Sequence, residues 1–218
     1  MNKIFPFVLL TIILISCGGN GSETNETDET IVDVYTPLPY IGLHDIDLED
    51  TIYHTVPPFQ LIDQDSNQFS NADVEGKVHV ANFFFTSCPS ICPAMIEQMK
   101  RLQEMTNDID ELIILSHTID PERDTLPKLR KYIADRNIDT HNWHFLWGDR
   151  EYIHWLGEEG YMINAMEDEQ AEGGFLHSEH FVLIDREGHI RGLYTGTDTE
   201  EVNKLNEDIR KLIKNEYN

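Results

Sequence analysis

Blocks of apolar residues and blocks of mixed polarity alternate along most of this chain, and they read as strands and helices in turn. "PPFQLIDQDSNQFS", residues 57–70, predicts a short hairpin turning at Asp63–Asn67, because turn formers separate two apolar stretches. "VHVANFFF", 78–85, is nearly continuous and predicts a central buried strand. "ICPAMIEQMKRLQEM", 91–105, follows with helical spacing, Met95, Met99 and Leu102 falling on one face. "LIILSHTI", 112–119, is a second buried strand, and "LPKLRKYIADRN", 126–137, a helix. Pro127 falls in that helix's first turn, where a missing N–H does no harm. A short strand "HFLWGD" and a helix around "REYIHWLGEEG" come next. "HFVLIDREGHIRGLYTG" predicts a hairpin turning at Arg186–Gly188, and "EEVNKLNEDIRKLIKNEY" an amphipathic closing helix.

Strand, helix, strand and helix, followed by a hairpin and a last helix, predict an α/β fold. It is a thioredoxin-like sandwich with a central mixed β-sheet flanked by helices and an N-terminal β-hairpin. The folded domain is expected over residues 40–218. Ahead of it, one lysine and an apolar run, Ile4–Ile15, too short to span a bilayer comfortably, read as an export signal over 1–16. Leu14-Ile15-Ser16-Cys17 resembles a bacterial lipobox, which makes Cys17 the expected lipidation site. Residues 17–39 would then be the lipidated cysteine and a flexible acidic tether. This places the protein in a bacterial cell envelope, periplasm-facing and lipid-anchored to a membrane.

Charge narrows the partners. The 218 residues carry 40 acidic against 16 basic side chains, a formal charge of −24. Nothing would neutralise phosphates, so no nucleic-acid partner is expected. The same surplus argues against docking on anionic lipid.

The chemistry sits in "FFFTSCPSICPAM", residues 83–95, between the first buried strand and its helix. Pro93 requires the helix to start near Ser90, because proline is tolerated only where N–H groups lack intrahelical partners. Cys88 then lies in the loop and Cys92 in the first turn, both at the positive end of the helix dipole, which is expected to lower their pKa. With Cys17 lipidated, these are the remaining two of three cysteines. Thiolates so placed suit disulfide exchange, although the spacing is C-x-x-x-C and not the usual C-x-x-C. They equally suit Cu(I), a soft ion content with two or three ligands, better than Zn(II), which wants four.

Ten histidines could supply a third ligand. His141, His144 and His154 read as surface or core-edge residues, and His79 and His117 as structural ones. His177 follows Gly173-Gly174 and precedes a strand expected beside the first buried one, so its loop would face the cysteines. No proline occurs after Pro127, so the cis-proline of thiol oxidoreductases has no counterpart here. His180 is the competing ligand, turned away from His177 if both are extended.

These residues resemble the Sco/SenC copper-delivery family over roughly 52–215. "FFFTSCPSICPAM" is similar to its F-x-x-C-P-x-x-C-P signature and "SHTIDPERDT", 116–125, to its S-x-D-P-x-x-D-T signature. A His eleven residues before a hairpin Gly is matched by His177 and Gly188 and not by His180. The resemblance implies that Cys88, Cys92 and His177 bind one copper ion, as Cu(I) or Cu(II), for the CuA site of cytochrome c oxidase. Asp120 and Asp124 would lie near the site, although as turn and capping residues they need no such role. Implied partners are a copper-accepting oxidase subunit and other copper chaperones or thiol reductants. The alternative is a thiol-disulfide reductase that keeps acceptor cysteines reduced, so enzymatic activity is left open between the two. One departure stands out: the family usually has Asp before the ligand His, and this chain has Leu176.

Overall fold

The computed structural model describes residues 36–42, 44–46, 51–167 and 175–217, with only the backbone described at 44–46, 165–167 and 175–177. All lie in one unit, Tyr35–Asn218. Eleven strands and five α-helices are formed by these residues. The strands are β1 His44–Ile46, β2 Thr51–Tyr53, β3 Gln60–Ile62, β4 Gln68–Ser70, β5 Val78–Phe84, β6 Leu112–Thr118, β7 Trp143–Leu146, β8 Ala165–Glu167, β9 Phe175–His177, β10 His180–Ile184 and β11 Ile190–Thr195. The helices are α1 Asn71–Val74, α2 Ile91–Met105, α3 Leu126–Asp135, α4 Arg150–Trp155 and α5 Thr199–Glu216.

The central sheet has the order β11-β10-β5-β6-β7. β5, β6 and β7 are parallel, and β10 and β11 run antiparallel to them. Every residue of β5 and β6 is buried, as their continuous apolar runs require when both faces are covered. This is the expected mixed sheet, and β10 lies beside β5 with Val182 opposite Ala81. One face packs on helices: Tyr132 of α3 lies 5.6 Å from Phe84, and α5 packs on α2 and β11. Polar groups on that face are linked in a chain, Trp143 Nε1 donating to Ser116 Oγ and Ser116 Oγ to Asn82 Oδ1.

The other face is covered by N-terminal segments and by the π-helical turn Leu156–Gly160 that prolongs α4. β3 and β4 form the expected hairpin around Asp63–Asn67 and join the sheet's edge through Ile62 and Trp147. The β1–β2 and β8–β9 hairpins were not apparent in the sequence, their strands being only three residues long. On this face His117 stacks on Phe83 at 4.7 Å beside Tyr161, and His79 is buried nearby. Each ring only approaches a carbonyl, of Asn82 and Lys77 respectively, and no nitrogen makes a well-formed hydrogen bond. Both are structural, as expected, and burial holds both neutral.

At the end of the sheet where β5 begins, Arg191 gathers three parts of the chain. It is 1% exposed and donates to Asp185, Glu216 and the carbonyls of Leu38 and Pro39, with its guanidinium over the Tyr40 ring. Two carboxylates offset the cost of burying this cation. No helix among the described residues is long and apolar enough to cross a membrane.

Acid lability follows from the buried imidazoles. Burial lowers His79 to about 4 and His117 to about 3, below the ordinary 6.5, so the unfolded chain binds more protons than the native one. Stability is undiminished above pH 6.5 and falls as pH drops toward 4 and 3, by about 1.4 kcal/mol per pH unit for each ring. Urea unfolding at pH 7 and pH 5 should show that loss, and His117→Phe should make it shallower.

Candidate metal centre

The two cysteines stand where β5 gives way to α2. After Phe85 the chain turns, Cys88 N donating to the Phe85 carbonyl at 3.2 Å. Ser90 is the N-cap and α2 starts at Ile91, so Cys88 lies in the loop and Cys92 in the first turn, as Pro93 dictates. Both are buried and neither is in a disulfide. Their side chains bond to one another, and this contact followed by burial pushes the Cys92 thiol well above its ordinary range. The expectation that the helix terminus lowers both pKa values is thereby corrected for Cys92. A dipole favours thiolate only where nothing stronger opposes it, and here a neighbouring sulfur and an apolar wall do. A hydrogen bond from the Phe85 backbone opposes the rise without reversing it.

The loop is held from beneath by Asp124. Its fully buried carboxylate accepts from Thr86 N at 2.8 Å, the Thr86 hydroxyl, the Thr118 hydroxyl at 2.8 Å and Lys128 Nζ at 3.1 Å. Asp124 thus fastens the loop two residues before Cys88 to the end of β6. Asp120 pairs with Arg123 at 2.6 Å, and its backbone carbonyl receives Asp124 N. Burial raises its pKa, against the pull of Arg123. Both acids shape the turn that supports the site.

The third expected ligand lies on β9. Ala165 of β8 pairs with His177, and Ser178 N donates to Asn164 O at 2.9 Å. The side chains of His177 and Leu176, and all of Gly173-Gly174, lie outside the described residues, as does Cys17. Because β10 runs antiparallel to β5, the chain enters β10 from the end of the sheet that carries Cys88. His180 bonds the Ser178 hydroxyl through Nδ1. Glu179, two residues past His177, has its carboxylate engaged by the Thr197 hydroxyl at 2.7 Å.

His141, His144 and His154 are surface or core-edge residues, as expected. His141 pairs with Asp139 at the surface, His144 packs on Phe69, and His154 Nε2 bonds Ile119 O. One further group of ligand-type atoms gathers at the other end of the sheet. Asp185, Glu187 and His189 bring theirs within 4.8 Å of one another, a convergence signalled by their alternation through the hairpin turn. Asp185 is already committed to Arg191 and to the amides of Glu187 and His189, and Glu187 to the Tyr217 hydroxyl. Those hydrogen bonds close the turn.

Comparison with known proteins bears on the cysteine site. The SCO1/SenC family profile matches residues 49–214. The SCO1 protein homolog of Bacillus subtilis is 29% identical over 166 residues, covering 75% of this chain and 85% of its own length. The structure of BsSco, described as a member of the Sco family of cytochrome c oxidase assembly proteins with a disulfide switch, is 26% identical. It superposes with a TM-score of 0.66 over 74% of this chain and 95% of its own. ScoI of Bradyrhizobium japonicum with copper bound is 25% identical, with a TM-score of 0.59 over 72% of this chain and 99% of its own.

Removing the support should loosen the fold more than removing a surface pair. Asp124→Ala leaves the Thr86 amide and the Thr86 and Thr118 hydroxyls without their acceptor and should cost roughly 3 kcal/mol, the scale of losing hydrogen bonds to a charged group and leaving buried donors unsatisfied. Glu122→Ala, whose partner Arg150 lies 3.6 Å away with Glu122 exposed, should cost under about 1 kcal/mol. Urea denaturation of the two variants checks the contrast.

Proposed function

The chain belongs to the SCO1/SenC family, and on that premise we propose that it carries one copper ion on Cys88, Cys92 and His177 and delivers it to the CuA site of cytochrome c oxidase. The observation that carries this reading is the pair of contacting sulfurs at the mouth of the sheet. Two soft donors in a buried, fixed loop suit Cu(I), and an imidazole is a fitting third. Copper is cargo here, passed to the acceptor by exchange of one ligand at a time. Copper bound to a relative at this fold supports the choice of ion. Delivery to an oxidase is in keeping with the assembly role described for BsSco.

A second reading has its own support. The same two sulfurs are close enough to share a hydrogen bond, so they can oxidise to a disulfide while a partner's disulfide is reduced to two thiols. Cys88, the more exposed of the two, would make first contact. The chaperone remains the better reading because it also gives His177 a task, and reduced acceptor thiols are a condition of copper loading in either case.

The ligand set is tested by anaerobic Cu(I) titration of the chain from Gly18 onward against a competing chelator. Wild type should bind one equivalent tightly. Cys88→Ser or Cys92→Ser should abolish tight binding with the fold intact, and His177→Ala should weaken it at least tenfold while sparing disulfide formation. Retention of full affinity by His177→Ala, with loss in His180→Ala, would transfer the role to His180. The envelope placement, a lipid at Cys17 followed by a tether, is tested separately. Cys17→Ser should move the protein from the membrane fraction to the soluble one, and continued membrane association would exclude the lipid anchor.

A further inference from the structure

A second pair of side chains that carry soft and borderline donors lies close together on the sheet face covered by N-terminal segments. His54 Nε2 lies 2.8 Å from the carbonyl oxygen of Gly160. A carbonyl can only accept, so Nε2 carries the proton and Nδ1 keeps the lone pair in the neutral ring. Histidines that ligate metals are oriented in this manner, the second nitrogen donating to a backbone carbonyl. Beside that ring stands the thioether of Met162. The point that a Cβ on Gly42 would occupy lies 2.8 Å from Met162 Sδ, 2.7 Å from His54 Cβ and 3.1 Å from His54 Cγ. Sulfur and imidazole therefore pack around one point, and only a glycine leaves room for both. Gly42 has φ +122°, a further reason that no other residue suits it.

Met162 is held in an unusual way. Its φ is +57°, the left-handed region that side chains other than Asn and Asp seldom adopt. Its neighbours Tyr161 and Ile163 are buried, yet Met162 itself is 36% exposed. Backbone strain that leaves an apolar side chain at the surface needs a reason beyond packing. Three residues further on, Ala165 pairs with His177. The path from Met162 to the backbone of His177 is then at most about 16 Å.

We propose that His54 and Met162 form a second, weaker and solvent-accessible site for Cu(I), a station at which copper is acquired before it reaches the cysteines. An imidazole nitrogen and a thioether are a soft pair that Cu(I) accepts in two-coordinate form, with an open side for a ligand of the donor. No oxidation is involved: Cu(I) enters and leaves by ligand exchange. The choice of copper as the ion rests on the function proposed for the cysteines, whereas the geometry of the pair does not.

The test is anaerobic titration with Cu(I) of the chain from Gly18 onward, which retains the whole described unit, followed through the methyl resonance of Met162 labelled with carbon-13. In a Cys88→Ser, Cys92→Ser background that resonance should shift and saturate at one equivalent. In wild type it should move only during the second equivalent. Met162→Leu preserves bulk, and His54→Gln preserves a donor to Gly160; each should weaken this binding at least tenfold with the urea midpoint little changed. A Met162 resonance that ignores several equivalents, or binding in the double-serine background that is indifferent to both substitutions, overturns the site. If the first wild-type equivalent proves independent of the cysteines while Met162 still titrates, the cysteine reading fails and the His54–Met162 site stands.

Discussion

A single buried carboxylate decides where the two sulfurs stand. Asp124 is enclosed at the ends of two adjacent parallel strands, where it would be prohibitively costly as a bare charge. Donors from Thr86, Thr118 and Lys128 make it tolerable, and in doing so they tie the loop after β5 to the last residue of β6. The segment from Thr86 to Ser90 has little freedom left. α2 must then begin where Pro93 permits, and Cys92 faces Cys88 because both ends of the intervening turn are fixed. The acidic second signature therefore acts on the cysteine site at one remove, through the backbone that carries the two sulfurs.

Much of this could be read from the chain. β5 and β6 announce themselves as unbroken apolar runs, and the start of α2 follows from where a proline is tolerated. The cysteine pair is local in sequence, so its spacing already brings the sulfurs together. Other features resisted reading for physical reasons. Three-residue strands such as β8 and β9 are too short to show a period. The raised Cys92 thiol depends on contact and burial, which overrule the helix dipole visible in the sequence. Asp124 looks like an ordinary turn former until Thr86 is folded against it. Gly42, His54 and Met162 meet only because the N-terminal segments lie across the sheet beside the π-helical turn, and no spacing along the chain signals that meeting.

The sheet also separates tasks by its two ends. At the C-terminal end of β5 stand the cysteines and the chain entering β10. At the other end Arg191 holds Asp185, Glu216 and the carbonyls of Leu38 and Pro39. The seven residues of β5 put roughly 20 Å between the two. Ligand-type atoms occur at both ends, but those at the Arg191 end are consumed by a cation the protein itself provides. At the other end the two sulfurs face each other.

That separation has a mechanical consequence. A pull on the chain ahead of Leu38 is taken up first by the guanidinium of Arg191, by the Tyr40 ring beneath it, and then by the Ile41–Ile190 bridge. From there the load passes into β11 and the last turn of α5. The loop bearing Cys88 is not in that path. A load applied ahead of Leu38 is absorbed a full strand length from the sulfurs, so one end of the sheet can be strained while the spacing of Cys88 and Cys92 stays fixed.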